Sequence, residues 1–163
     1  MIVIVIVGVL YTLVIAKIHT ADTPTMTPTL TNLKEYLTSF LQDDAKKAEL
    51  ICLNDCKECA VYVDNTRVKT IKSFFDASIQ AYSYDFLWGT KEKEQDVFFD
   101  KENVEQNVCF SFYVKRNTIA EQVFVAYKNR VYDYTPYFTQ TAIYDSLSEA
   151  TTAHRELAQK VMQ

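Results

Sequence analysis

One stretch decides the fold class: Val108-Cys109-Phe110-Ser111-Phe112-Tyr113-Val114. Successive side chains of a β-strand point to opposite faces of its sheet. The stretch therefore has an apolar face, made of Val108, Phe110, Phe112 and Val114, and a mixed face, made of Cys109, Ser111 and Tyr113. We predict a strand here with one face in a hydrophobic core.

Toward the C-terminus, the pattern predicts two more strands and a helix. Val123, Val125 and Tyr127 alternate, and Val131-Tyr132-Asp133-Tyr134 follows a polar turn at 128–130. With 108–114 these strands are expected to form an antiparallel meander. Ser146 and Glu149 have the spacing of a capping box, which predicts the start of a C-terminal helix. This helix is marked by Leu147, Ala150, His154, Leu157 and Val161.

Toward the N-terminus, strands are predicted at 49–53, 59–63 and 67–71, the last two forming a hairpin around Asp64-Asn65. Residues 97–99 are expected to be a short edge strand, and the charged run 91–96 a loop. Leu33, Leu37, Phe40 and Leu41 recur at helical spacing, so we predict an amphipathic helix over 31–42 that packs on the sheet. The predicted fold class is α+β, with an antiparallel β-sheet between this helix and the C-terminal helix.

Composition excludes several functions. The chain has 163 residues, a net charge of −4 and only two glycines. A mildly acidic chain is a poor match for nucleic-acid binding, which depends on clustered Lys and Arg. Phosphate-binding loops need several close glycines. The carboxylates are scattered, and His154 has no identifiable nucleophile beside it and is expected to be a partly packed surface histidine. We therefore predict no catalytic residues, no metal site and no cofactor.

The first charged side chain after Met1 is Lys17. As a helix, the sixteen preceding residues would span about 24 Å at 1.5 Å per residue, close to the roughly 30 Å of a bilayer's hydrocarbon core. We predict a transmembrane anchor helix over 1–18. Residues 19–29 contain two prolines and five threonines, which predicts an extended linker. The remainder, 30–163, is predicted to be one extracytoplasmic α+β domain.

The run Ile4-Val5-Ile6-Val7-Gly8-Val9-Leu10, followed by Leu13-Val14-Ile15-Ala16, resembles the N-terminal helix of type IV pilins and type II secretion pseudopilins. That family has an apolar β-branched run, a glycine, a branched pair and a further apolar turn. In the family a basic leader, a phenylalanine and a glutamate precede the run, and this sequence does not contain them. We expect upstream in-frame codons to encode them.

The resemblance implies a non-enzymatic assembly subunit of a secretion, pilus or DNA-uptake system. It implies a single-pass protein of the bacterial inner membrane, with its domain facing the periplasm or the cell exterior. Its partners would be inner-membrane lipid and other pilin-like subunits, in a homo- or hetero-oligomer. The helix residues implied in assembly are Ile4, Ile6, Gly8, Leu10 and Leu13, with Gly8 allowing close approach of helix backbones.

The four cysteines are Cys52, Cys56, Cys59 and Cys109. An exported domain favours disulfides, and four cysteines allow three pairings. We expect Cys56–Cys59 to close a local turn and Cys52–Cys109 to join two strands. Three alternatives stay open: a four-thiolate zinc site, a redox-active C-x-x-C, and an iron–sulfur site, because C-x3-C-x2-C resembles the radical SAM motif.

Two other functions stay open. One is a single-pass ligand-binding domain of the cell envelope that uses aromatic side chains near 82–88 and 132–138 to stack a ligand. A ligand-sized cleft lined by Trp88 and Tyr134 would favour it, although packing within a sheet is the commoner role of such residues. The other is a cysteine-based zinc or redox protein, which bound zinc would favour.

Overall fold

The computed structural model describes residues 26–42, 44–85, 87–100, 102–117, 119–136 and 140–161. The predicted anchor 1–18, with Ile4, Ile6, Gly8, Leu10 and Leu13, and linker residues 19–25 lie outside this described part. Neither helix in the described part is long and apolar enough to cross a membrane.

The described chain has an α+β fold with antiparallel sheets and two helices, as predicted. The helices are α1 (Leu33–Thr38) and α2 (Leu147–Val161). The strands are β1 (Lys47–Leu53), β2 (Glu58–Val63), β3 (Thr66–Lys72), β4 (Gln80–Asp85), β5 (Gly89–Glu92), β6 (Phe98–Phe99), β7 (Glu105–Gln106), β8 (Val108–Lys115), β9 (Phe124–Tyr127), β10 (Arg130–Asp133) and β11 (Ala142–Tyr144).

The first sheet has the strand order β3-β2-β1-β8. The turn between β2 and β3 is Asp64-Asn65, as predicted, and both residues have positive φ, 45° and 68°. Asx residues tolerate this left-handed backbone better than most. Strand β3 is an open edge of this sheet and carries three cations, Arg67, Lys69 and Lys72.

One face of the first sheet forms the main core. Leu50 pairs with Phe112 across β1 and β8, Cys52 lies opposite Phe110, and all four side chains are fully buried. On β8, Ser111 and Tyr113 lie on the opposite, half-buried face. The alternation predicted for 108–114 is confirmed, and it sets which face of the sheet the rest of the domain covers.

The second sheet has the order β11-β10-β9-β4-β5. The predicted meander is confirmed for 123–127 and 131–134, which pair antiparallel as β9 and β10. It is wrong for 108–114, because β8 pairs with β1 in the first sheet. The chain changes sheets between β8 and β9: Ala120 bridges Val114, the Glu121 amide donates to the Tyr113 carbonyl, and Phe124 then begins β9. The β9–β10 turn is confirmed, with Lys128 and Asn129 at φ 48° and 61°.

Helix α1 is shorter than the predicted 31–42. Its buried side chains are Leu33, Tyr36 and Leu37, which join the main core beside β1 and β8. Beyond Thr38, the Phe40 and Leu41 amides donate to carbonyls three residues back, at 3.1 and 2.9 Å. The predicted last turn of the helix is therefore a tight turn, which still places Phe40 and Leu41 against the core.

Strands β6 and β7 lie in sequence between β5, in the second sheet, and β8, in the first sheet. The predicted strand at 97–99 is present as β6, which pairs with β7 in a separate two-stranded sheet, and Phe98 packs on Tyr62 with ring centroids 5.5 Å apart. The predicted loop 91–96 is partly wrong, since Lys91 and Glu92 belong to β5. They pair with β4, so β4 and β5 form a hairpin around 86–88.

Helix α2 starts where the capping signal predicts. The Ser146 hydroxyl accepts the Glu149 amide at 3.2 Å, and the Glu149 carboxylate accepts the Asp145 amide at 3.0 Å. The helix covers the outer face of the second sheet, where Ala150 completes a small core with Phe124 and Val131.

A buried polar contact fixes α2 to β10. Asp133 is 1% exposed, and its Oδ2 lies 2.7 Å from His154 Nε2 on α2. The other carboxylate oxygen accepts the Thr135 amide at 2.8 Å and the Thr135 hydroxyl at 2.6 Å. The imidazole also packs against Tyr84 and Phe124, at 5.2 and 5.1 Å. A buried carboxylate is costly unless it is hydrogen-bonded, so this pairing defines where α2 sits.

We expect His154→Ala to destabilise the domain by about 2 kcal/mol, because it removes a hydrogen bond to a buried charge and the ring packing. Hydrogen exchange of α2 amides should quicken most. The matched control is Arg155→Ala on the exposed face of the same helix. Equal effects of the two substitutions, measured by chemical denaturation, would show that the Asp133 contact does not hold the helix.

Candidate functional site

The four cysteines form two disulfides that meet at the β1–β2 turn. Cys52 bonds Cys59, with Cα atoms 4.0 Å apart, and Cys56 bonds Cys109, with Cα atoms 5.8 Å apart. Both bonds are expected features of an exported domain. The predicted pairing, Cys56–Cys59 with Cys52–Cys109, is wrong.

Strand register explains the correction. Cys52 and Cys59 are directly opposite each other in the antiparallel β1–β2 pair, so their side chains leave the same face at close range. Cys56 lies in the turn with φ 61°. The Asn54 amide donates to the Asn107 carbonyl at 2.8 Å, which holds this turn against the start of β8 and Cys109. The three-residue spacing suggested a local bond, but the hairpin register decides the pairing.

The two disulfides can be compared with the zinc, iron–sulfur and redox interpretations of the cysteines. Zinc, iron–sulfur clusters and redox nucleophiles all use thiolates, whereas none of the four cysteines is free. Within the described ranges, no group of three or more His, Cys, Asp or Glu side chains is placed to hold a metal ion. In this oxidised form the cysteines act as cross-links.

The aromatic groups divide between packing and exposure. Tyr82 and Tyr84 pack beside the small core under α2, and Tyr134 is buried, with its hydroxyl donating to the Leu30 carbonyl. Trp88 is 87% exposed at the tip of the β4–β5 hairpin. A buried tyrosine and a tip tryptophan do not line one cleft, so among the described residues Trp88 and Tyr134 do not form the cleft expected for a ligand-binding domain. Phe86, Tyr137 and Phe138 lie outside the described residues.

A polar cluster that the sequence did not reveal lies at the corner between the sheets. Lys93 Nζ is 2.7 Å from Glu121 Oε1, and both side chains are less than one fifth exposed. Lys93 also donates to the Ser111 hydroxyl at 3.0 Å and to the Ser111 carbonyl at 3.2 Å. Its members are 18 and 28 residues apart in sequence, so no local spacing could have indicated it.

This cluster has the parts of a serine–lysine dyad but not its chemistry. A lysine acts as a general base only when it can accept a proton, whereas Lys93 Nζ donates to the Ser111 hydroxyl and lies 2.7 Å from Glu121 Oε1. Burial raises the pKa of Glu121 above its ordinary 4.5, while the hydrogen bond and charge of Lys93 oppose that shift. Glu121 Oε2 is buried without a hydrogen-bond partner among the described residues. We assign the cluster to holding the segment after β5 against β8.

Two open grooves are found on the surface of the described residues. The first, of about 440 Å³, crosses the outer face of the first sheet, with Ile51, Ala60 and Tyr62 in it and Arg67 paired to Glu58 at its rim. The second, of about 360 Å³, lies between the β9–β10 turn and the start of α2. Neither groove has a histidine or a cysteine among the described residues that line it.

The described chain is thus a disulfide-linked α+β domain with open grooves. Comparison with protein-family models, with curated proteins and with solved structures gives no match.

We expect the two disulfides to contribute unequally to stability. In the loop-entropy model the Cys56–Cys109 bond, with a separation of 53 residues, contributes about 4 kcal/mol, and the Cys52–Cys59 bond, with a separation of 7, contributes about 2.5 kcal/mol. Chemical denaturation of Cys56→Ala/Cys109→Ala and Cys52→Ala/Cys59→Ala double variants measures this order.

Mapping of the unreduced protein checks the pairing itself. Cleavage at Asp55 and at Lys57 places Cys52, Cys56 and Cys59 on separate peptides. A peptide that joins Cys56 to Cys59 would contradict the pairing described here.

Glu121 should give the domain a distinct pH dependence. Its pKa is raised by folding, so the protonated carboxyl favours the folded state, and this contribution is lost as pH rises through the folded-state pKa. Relative to Glu121→Gln, the wild-type unfolding free energy should fall as the pH rises from about 4.5, the ordinary pKa of a glutamate, through the higher folded-state pKa of Glu121. The control is Glu94→Gln, whose side chain is exposed. A pH-independent difference for Glu121→Gln would contradict the shift.

Proposed function

We propose that this protein is a pilin-like assembly subunit, of the pseudopilin or minor-pilin kind, in a secretion, pilus or DNA-uptake system. Residues 1–18 anchor it in the bacterial inner membrane, 19–29 are the linker, and 30–163 form a domain on the periplasmic or outer side. The single observation that carries the proposal is the pair of disulfides. Such bonds form and persist outside the cytoplasm, so an exported domain that follows an uncharged apolar segment fits a tethered envelope protein.

The start of the domain supports a role in transmitting force or position from the anchor. Leu30 follows the linker directly, is buried in the main core, and accepts the Tyr134 hydroxyl through its carbonyl. Helix α1 comes next and buries Leu33 and Leu37 against the first sheet. The segment that leads from the anchor is therefore packed into the domain from its first residues, as a subunit held by one end requires.

The proposed assembly contacts are of two kinds. In the membrane, Ile4, Ile6, Gly8, Leu10 and Leu13 would pack against the corresponding helices of other pilin-like subunits. Helices in lipid associate through close van der Waals packing, which a glycine permits. Outside, the groove on the first sheet offers an apolar floor with a charged rim, the composition of a surface suited to another subunit. Nucleic acid is not proposed as a partner, since the net charge is −4.

The test uses the full chain in a bacterial envelope, with a photo-crosslinking residue replacing Leu13. We expect the chain to stay in the membrane fraction after alkaline carbonate and to crosslink to pilin-like subunits. A reporter fused after Gln163 should be active only outside the cytoplasm.

A second part of the crosslinking experiment compares two variants of the anchor helix. Gly8→Leu should keep the chain in the membrane and reduce crosslinking, because the larger side chain separates the helices. Val9→Leu, one position along, should change neither. Extraction of the chain by carbonate, or crosslinking that Gly8→Leu leaves unchanged, would count against the proposal.

A further inference from the structure

The β4–β5 hairpin ends in a strongly exposed apolar tip. Leu87 is 79% exposed and Trp88 87% exposed, the two largest exposures among the large apolar side chains of the described residues. The two side chains are adjacent and form a small exposed apolar patch, and exposed apolar patches mark protein or membrane contact sites when they are large or specifically placed.

Hydrogen bonds and a turn glycine hold the hairpin tip in a defined conformation. Asp85 Oδ1 accepts the Leu87 amide at 2.8 Å and the Trp88 amide at 2.9 Å. Gly89 closes the turn with φ 78°, a conformation that glycine adopts without strain. Asp85 then pairs with Gly89 across the hairpin. The backbone of the tip is thus fixed so that two apolar side chains point away from the domain.

The tip projects from the same end of the second sheet at which the N-terminal segment enters. Tyr82, Phe124 and Asp133 stand side by side on β4, β9 and β10. One residue beyond Asp133, Tyr134 holds the Leu30 carbonyl. On β4 the same direction leads from Tyr82 to Asp85 and then to Leu87 and Trp88.

The length of the linker allows the tip to reach a bilayer that holds the proposed anchor. Residues 19–29, between the proposed anchor and Leu30, reach at most about 40 Å when fully extended, at 3.3–3.6 Å per residue. A domain tethered by Leu30 within this distance can turn the Leu87–Trp88 end of its second sheet toward the membrane.

We propose that Leu87 and Trp88 form a lipid-contacting tip that rests in the headgroup region of the bilayer while the subunit is held by its anchor. The inference rests on the proposed function, because it needs the anchor. Tryptophan is enriched at the membrane–water interface, where its ring is half in an apolar and half in a wet medium. Contact at two points, anchor and tip, would fix the orientation of the domain on the membrane before assembly.

The charges around the tip define the lipid it meets. Lys91 is paired with Glu94 at 3.5 Å, and Asp85 is engaged with backbone amides. No basic patch surrounds the tip within the described residues, so contact depends on apolar burial and does not need anionic lipid. Phosphatidylcholine is therefore the correct test surface.

Trp88 is the only tryptophan of the chain, which makes its fluorescence a direct reporter. The full chain is reconstituted in phosphatidylcholine vesicles, with or without lipid brominated near the headgroup. We expect the chain to float with the vesicles, and Trp88 emission to be quenched by brominated lipid and protected from iodide. Leu87→Ser should reduce the lipid quenching, whereas Phe99→Ser, an exposed apolar residue on the β6–β7 hairpin, should not.

The outcomes separate the two proposals. A chain that floats but whose Trp88 is quenched by iodide and not by brominated lipid overturns the tip and leaves the anchor standing. A chain that does not float contradicts the anchor and, with it, the tip. Protection from both quenchers that grows with the number of chains per vesicle places Trp88 against a second copy, which also overturns the lipid assignment.

Discussion

The fold depends on bringing β1 and β8 together, although more than fifty residues separate them in sequence. Such long-range pairing costs chain entropy before its contacts form. The bond from Cys56 to Cys109 closes this loop, and the Asn54–Asn107 hydrogen bond lies beside it. Once β8 is in register with β1, Phe110 and Phe112 become the floor on which α1, Tyr134 and the start of the second sheet are packed. The other elements of the main core pack against these two phenylalanines.

Several elements were predictable because the signal was local. In each case, residues close together in the sequence determine the local conformation. The examples are the alternation at 108–114, the turns at 64–65 and 128–129, and the capping residues Ser146 and Glu149. The meander was predicted wrongly for the opposite reason. Hydrophobic periodicity identifies a strand but not its partner, and the stretch after β8 pairs first with Tyr113 and then leaves for the second sheet.

The candidate sites show the same division. Sequence identified all four cysteines and an oxidised, cross-linked domain, but their pairing follows from the β1–β2 register, which spacing alone does not give. His154 was expected to be a partly packed histidine, whereas its partner Asp133, 21 residues away, could be found only in three dimensions. The same holds for Lys93, which the sequence placed in a charged loop, and Glu121, 28 residues away. The two form a largely buried pair at the corner.

The cationic edge strand β3 affects how identical domains behave when many copies lie close together. An open strand edge can add a strand from any identical neighbour, and lysine or arginine on that edge opposes it. Arg67, Lys69 and Lys72 on β3 would face the same three charges on a second domain brought edge to edge. Many copies at high local density would then keep separate sheets, and amyloid-like growth would be disfavoured. Copies of the domain would then contact each other through side chains and not through backbone hydrogen bonds between strand edges. Side-chain contacts of this kind are specific and reversible, whereas a continuous backbone ladder is not.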